Sequence, residues 1–322
     1  MININSTIDN AVDLQKHYTM RDGFVFTSIT EPTNIFDAIV LRFPESCDCH
    51  SPKVGFSNRS LQDCIALINQ FSIEKALIIS ESIDFIKECP SLKYLEIVPA
   101  DTTENSFDYT PLYDMPEIIE LNCKTIYGQF DQFSTAIDYE KLKGIKNAYI
   151  CGIGHMNYFK VATLESLKLS NLQTMKDLQS LASLHSLKVL EINQCGIQSL
   201  KGIESLTMLR QLDVGYCRKL FDMSALAHIG PSLNELSIES CSKIENFEFL
   251  SHLTGLRRLC LDGKNNLPSL TFLKHMPELR ELILWMNVLD GDITPCVGIS
   301  YVSLANRRHF NLKNSDLSKI RQ

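Results

Sequence analysis

Six stretches of this chain repeat one phrase: Leu164-Glu-Ser-Leu167-Lys-Leu169, Leu187-Lys-Val-Leu190-Glu-Ile192, Leu209-Arg-Gln-Leu212-Asp-Val214, Leu233-Asn-Glu-Leu236-Ser-Ile238, Leu256-Arg-Arg-Leu259-Cys-Leu261 and Leu279-Arg-Glu-Leu282-Ile-Leu284. The first leucines are spaced by 23, 22, 24, 23 and 23 residues. Self-similarity at this period is the signature of a stacked solenoid. One unit is too small to bury its own apolar face, so neighbouring units must stack into a continuous core. Such a chain offers a long surface and no obvious cleft, which points to binding rather than catalysis.

Between these phrases the apolar residues fall three apart. Leu178, Leu181, Leu184, Leu187 and Leu190 form one such run, and Leu200, Ile203, Leu206, Leu209 and Leu212 another. Phe247 through Leu259 and Leu267 through Leu282 repeat the step. In a 3₁₀ turn residues i and i+3 line up, whereas an α-helix needs mixed steps of three and four. The spacing therefore predicts short 3₁₀ segments returning from each strand to the next.

The phrase resembles the leucine-rich repeat family, L-x-x-L-x-L-x-x-N/C-x-L. The likeness is strong from Leu164 to Asn287 and weaker on either side. The ninth position holds Cys195, Cys217, Cys241 and Asn287, while Leu172 and Lys264 break the pattern. The spacing is similar to the short internalin-like and phosphatase-regulator-like repeats, with some units closer to the cysteine-containing type. The resemblance implies an α/β leucine-rich repeat solenoid, right-handed and curved. It would carry a parallel sheet on its concave side and 3₁₀ turns on its convex side. It also implies that the ninth side chain fills the turn after the strand and bonds to backbone there, which makes the three cysteines turn fillers rather than reactive thiols.

The chain divides into an N-terminal αβ cap (1–79), irregular repeats (80–163), regular repeats (164–306) and a polar, basic C-terminal tail (307–322). In the cap, residues 23–28 and 36–43 read as strands by their apolar and β-branched content. Residues 44–58 read as a loop. Ser60 is a candidate N-cap for a helix over 61–71, with Cys64, Ile65, Ile68 and Phe71 on one face. Residues 75–79 close this β-loop-α-β start. In the irregular part, Leu92-x-x-Leu95-x-Ile97 is clear, Ile118-x-x-Leu121-x-Cys123 acceptable and Ile145-x-x-Ala148-x-Ile150 poor. The stretches 101–113 and 129–139 read as projecting loops, and Ile299-x-x-Val302-x-Leu304 as a last strand.

Composition narrows the function. With 322 residues, 44% of them hydrophobic, the chain can bury a large core. No apolar run is long enough for a transmembrane helix, and the first residues lack the pattern of a signal peptide. Eleven scattered cysteines, an odd number, fit a reducing compartment, so a cytoplasmic location is expected. A net charge of −7 argues against nucleic-acid binding, which needs a basic surface. The balance is uneven. Residues 1–150 carry 12 Lys/Arg and 22 Asp/Glu, residues 151–322 carry 19 and 16.

No phosphate-binding loop, zinc-protease helix or serine-hydrolase elbow occurs. Gly152-Ile-Gly154 lacks a third glycine, and Cys151 with His155 lacks an orienting group. Cys47-Asp48-Cys49-His50, with Cys64 as a further donor, is the best metal candidate, but C-x-C is tighter than a zinc knuckle. The expectation is no enzyme, no catalytic residue, no metal and no cofactor.

Strand alternation turns the leucines inward and the intervening side chains outward. The concave face then holds Glu191, Asp213, Tyr216, Glu235, Glu239, Arg258, Asp262, Glu281, Ile283, Trp285, Met286 and Tyr301. Six of the sixteen acidic residues of this half lie there, beside the only tryptophan of the chain. Aromatic residues and Met are enriched at protein interfaces. The alternative is that the C-terminal tail covers Trp285 and Ile283. The expected function is a non-enzymatic scaffold that grips a protein partner with a basic patch through this face. An inhibitor or immunity-type role and a regulatory or adaptor role both fit. An enzyme with its chemistry in the N-terminal region and a surface adhesin are the lesser readings. No membrane partner is expected.

Overall fold

A computed structural model describes residues 18–27, 37–43, 59–99, 107–115, 117–123, 137–151, 160–313 and 316–317. The chain splits into two units, 1–163 and 164–322.

The first unit begins with a hairpin. Strands β1 (Tyr18–Arg21) and β2 (Phe24–Thr27) pair antiparallel. Asp22 and Gly23 join them with φ of 50° and 85°. Two successive positive φ values give the turn whose twist matches a tight hairpin, which is why Asp-Gly is favoured there. The reading of 23–28 as a lone strand omits β1, although the Asp-Gly signal stands in the sequence. Strand β3 (Ala38–Phe43) pairs antiparallel with β2 and parallel with β4 (Lys75–Ser80). Strands β5 (Tyr94–Pro99), β6 (Glu120–Cys123) and β7 (Asn147–Cys151) follow in parallel order.

Helix α1 (Leu61–Phe71) lies between β3 and β4 in sequence. Ser60 accepts from the Asp63 amide while Asp63 bonds back to the Ser60 amide, a capping box. Cys64, Ile65 and Ile68 are buried as expected, but Phe71 is 65% exposed. It stands at the last helical position, where Ser72 takes the left-handed conformation and turns the chain toward β4.

Two expected loops are in part folded in. Phe107, Tyr109 and Leu112 are buried and lead into a 3₁₀ turn at Thr110–Asp114; Tyr139 is fully buried in another at Tyr139–Lys141. Both do the work of the repeat's return segment. The loop at 44–58, the metal candidates Cys47, Cys49 and His50, and the segment from Gly152 to His155 lie outside the described residues.

The second unit is regular. Strands β8 (Ser166–Ser170), β9 (Val189–Asn193), β10 (Gln211–Gly215), β11 (Glu235–Glu239) and β12 (Arg258–Asp262) pair parallel in a fixed register, followed by β14 (Glu281–Leu284) and β16 (Tyr301–Leu304). A second, two-stranded parallel sheet joins β13 (Asn266–Leu267) to β15 (Asn287–Val288). The returns are 3₁₀ throughout: Gln179–Leu181, Ile203–Ser205, Ser224–His228, Glu248–His252, Thr271–His275 and Thr294–Cys296. The step of three thus becomes 3₁₀ structure, and no α-helix occurs among the described residues of this run.

The phrase leucines form the core. Leu187, Leu190, Leu209, Leu212, Leu256 and Leu259 are fully buried. Each such side chain contributes roughly 1.5–3 kcal/mol when removed from water, and the register sets Leu190, Leu212, Leu236, Leu259 and Leu282 side by side on successive strands. The segment after β16 is tied down. His309 Nε2 meets the Val288 carbonyl at 2.8 Å, Asn311 Oδ1 accepts from the Ile293 amide, and Leu317 is buried.

Candidate functional site

The turn that follows each strand fixes the rim of the open sheet face. Asn171, Gln194, Tyr216 and Ser240 occupy one position in successive units, all with φ between 52° and 61°. The next side chain fills the turn. Cys195, Cys217 and Cys241 are buried there as free thiols. The Cys217 thiol donates to the Ile192 carbonyl at 3.9 Å and the Cys241 thiol to the Val214 carbonyl at 3.7 Å. A hydrogen bond with the Cys241 thiol, together with burial, raises Cys217 above the ordinary thiol range. These cysteines are turn fillers.

Two later turns depart from the expected positions. Lys264 breaks the pattern, and Asn265 replaces it one residue later. Asn265 Nδ2 donates to the carbonyls of Ile244 at 2.7 Å and Cys241 at 3.3 Å. Gly263, at φ 158°, accompanies the shift. In the following unit Asn287 does not fill the turn. Its Nδ2 donates to Asn266 Oδ1 at 3.0 Å between β13 and β15. Met286, expected on the open face, is 1% exposed and takes the buried place instead. A flexible thioether fills an irregular gap more readily than an amide whose donors have partners elsewhere.

The outward residues stand in three rows that cross the strands at about 4.8 Å per step. One row runs Val189, Gln211, Glu235, Arg258, Glu281, Tyr301. The central row runs Lys168, Glu191, Asp213, Ser237, Cys260, Ile283, Ser303. The third runs Asn193, Gly215, Glu239, Asp262, with Trp285 next after Leu284 in register. The structure therefore brings Glu191, Asp213, Glu235, Glu239, Arg258, Asp262, Glu281, Ile283, Trp285 and Tyr301 onto one face. Tyr216 stands at its rim, on the turn rather than the strand.

The charge on this face is divided. Lys168 pairs with Glu191 at 2.7 Å. Arg258 lies between Glu281, at 3.2 Å, and Glu235, at 3.8 Å. Asp213, Glu239 and Asp262 have no ion pair among the described residues. Asp213 accepts from Gln211 Nε2 at 2.8 Å, and Glu239 accepts the Tyr216 hydroxyl. Burial, against the Gln211 hydrogen bond, holds the Asp213 carboxyl above its usual range. The hydrogen bond to Glu239 and its charge raise the Tyr216 phenol.

Trp285 is 52% exposed, Tyr301 55% exposed and Ile283 half-buried, so the described residues leave Trp285 open to solvent. Cys260 is half-buried in the middle of the face, and burial raises its thiol. Among the described residues no group of three or more His, Cys, Asp or Glu side chains is placed to hold a metal ion. No helix of the described residues is long and apolar enough to cross a membrane.

No family model matches the chain, and no curated protein does. Solved structures are similar to it in fold. An internalin (InlF) of Listeria monocytogenes shares 19% identity over 73% of this chain and 73% of its own, at a TM-score of 0.48. Internalin C2 of the same species shares 22% identity over 55% of this chain and 74% of its own, at 0.42. The structure of a TLR13–ssRNA13 complex shares 14% identity over 72% of this chain and 38% of its own, at 0.44. The recurring phrase, the in-register parallel strands and the 3₁₀ returns give this chain the leucine-rich repeat fold.

Proposed function

We propose that the chain is a non-enzymatic scaffold that binds a protein partner through the open sheet face of residues 164–306. One observation carries the reading: Trp285 and Tyr301 stand half exposed beside Ile283 on a face that also holds three carboxylates without an ion pair. Exposed aromatic side chains in one patch with unpaired charge suit an interface with a buried anchor and a polar surround. The charge balance of the face suits a partner with a basic patch. An inhibitor or immunity-type role and a regulatory or adaptor role both use such a face. The odd number of scattered cysteines in the sequence supports a reducing, cytoplasmic setting.

The test is capture from an extract of the source cells on immobilised chain, with three variants. A partner retained by the wild type and by Phe221→Ala, an exposed aromatic outside the three rows, should be lost from Trp285→Ala and Tyr301→Ala. Unchanged retention by both face variants, with folding intact, would move the site off this face.

A further inference from the structure

The open face is not uniformly acidic. Lys168 pairs with Glu191, and Arg258 is shared between Glu235 and Glu281. What remains is local. In the third row Glu239 and Asp262 stand side by side on adjacent strands, and Trp285 follows on the next. Tyr216 stands at the rim beside Glu239 and bonds to it through its hydroxyl. Two acidic residues on strands about 4.8 Å apart are thus flanked by a phenol ring and an indole. Asp213 lies diagonally from Glu239, in the central row of the preceding strand.

Two further observations mark this end of the row. Gly215 is not required by its backbone: its φ is not positive, and a Cβ there would meet nothing nearer than Asn193 at 3.9 Å. The glycine leaves a notch on the face. Asn193 borders that notch, and its buried Oδ1 has no hydrogen-bond donor. Tyr216 holds φ at 54°, a conformation that bulky side chains rarely take. Asn171, Gln194 and Ser240 take the same conformation at this turn position, so the repeat itself sets Tyr216 at the rim.

We propose that Glu239 and Asp262, flanked by Tyr216 and Trp285, receive an arginine side chain from an extended segment of the protein partner. The reading deepens the proposed function and rests on it. The two carboxylates are acceptors with negative charge and the two rings offer π faces, so the occupant that fits them supplies donors and positive charge. A guanidinium matches better than an ammonium. Its planar fork can address two carboxylates at once, and its face stacks on an indole. A flexible ammonium offers a point charge without the fork. The notch over Gly215 gives the occupant's main chain room to pass beside Asn193.

Trp285 is the only tryptophan, so its fluorescence reports the site directly. The experiment titrates the whole chain with three blocked pentapeptides, Gly-Gly-X-Gly-Gly, where X is arginine, lysine or citrulline. The arginine peptide should change the emission saturably, and raising salt from about 50 to 500 mM should weaken it several-fold, since exposed charges are screened. The lysine peptide should bind several-fold more weakly, and the neutral citrulline peptide should give no saturable change. Glu239→Gln with Asp262→Asn, nearly isosteric surface changes, should weaken the arginine peptide by about tenfold or more. Equal response to arginine and citrulline, no saturable response to arginine, or full binding by the double variant would overturn the assignment. The result is separable from the broader reading. Loss of partner capture in Trp285→Ala without any arginine preference would keep the interface and discard its occupant.

Discussion

Two glycines of the same unit should respond in opposite directions to the same substitution. Gly202 precedes the 3₁₀ turn Ile203–Ser205 at φ 106°. A Cβ there would lie 2.4 Å from the Gln179 nitrogen and 2.4 Å from the Leu178 carbonyl carbon of the preceding repeat. Both are backbone atoms, so the repeats themselves must separate. Forcing an L side chain into left-handed space costs roughly 1–2 kcal/mol, and overpacking a fixed contact a further 1–3 kcal/mol or so. The loss of unfolded-state freedom returns about 0.4–1 kcal/mol. Gly202→Ala should therefore destabilise by about 2–4 kcal/mol. Gly215 sits inside β10 with open space above it, so Gly215→Ala should instead stabilise by about 0.5–1 kcal/mol. Urea unfolding followed by Trp285 emission reads the unit that holds both glycines. A Gly202→Ala midpoint equal to the wild type, or a Gly215→Ala midpoint well below it, would refute the close approach of the repeats at the one position or the open notch at the other.

Other outcomes follow from the same structure. Asn265→Ala should cost about 1–3 kcal/mol, because the Ile244 and Cys241 carbonyls lose their side-chain donor; urea midpoints measure it. Asp213→Asn should raise stability at neutral pH: the folded carboxyl titrates above its unfolded value, so the ionised form disfavours the fold once pH exceeds the folded pKa. That gain should vanish below the unfolded value of 3.8, and unfolding curves across pH check it. A thiol reagent applied to the native chain should modify Cys260 ahead of Cys195, Cys217 and Cys241, and bound partner should slow the reaction at Cys260; equal rates at all four would contradict the buried turn stack. With the partner in hand, Trp285→Ala should cost about 2 kcal/mol or more of binding by calorimetry.

The sequence alone determined the repeating architecture, because burial follows periodicity. A leucine at every third or second position can be satisfied only by strands and 3₁₀ returns stacked in register. The same logic placed α1, its Ser60 cap, and ten of the twelve expected face residues on one side; Tyr216 stands at the rim and Met286 is buried. The tertiary structure decided matters that depend on a neighbouring unit. Asn265 rather than Lys264 closes its turn because the two carbonyls it serves belong to the preceding repeat. Met286 rather than Asn287 fills the next, since Asn287 spends its donor on Asn266 one unit back. Phe71 left the core because its helix ends there. The count of carboxylates on the face was legible in the alternation of the strands, but their availability was not. Lys168 and Arg258 reach across strands to pair with three of the six, Arg258 shared between two, and such distances exist only once adjacent repeats pack. That pairing, set by register rather than composition, is what leaves Asp213, Glu239 and Asp262 without an ion pair among the described residues.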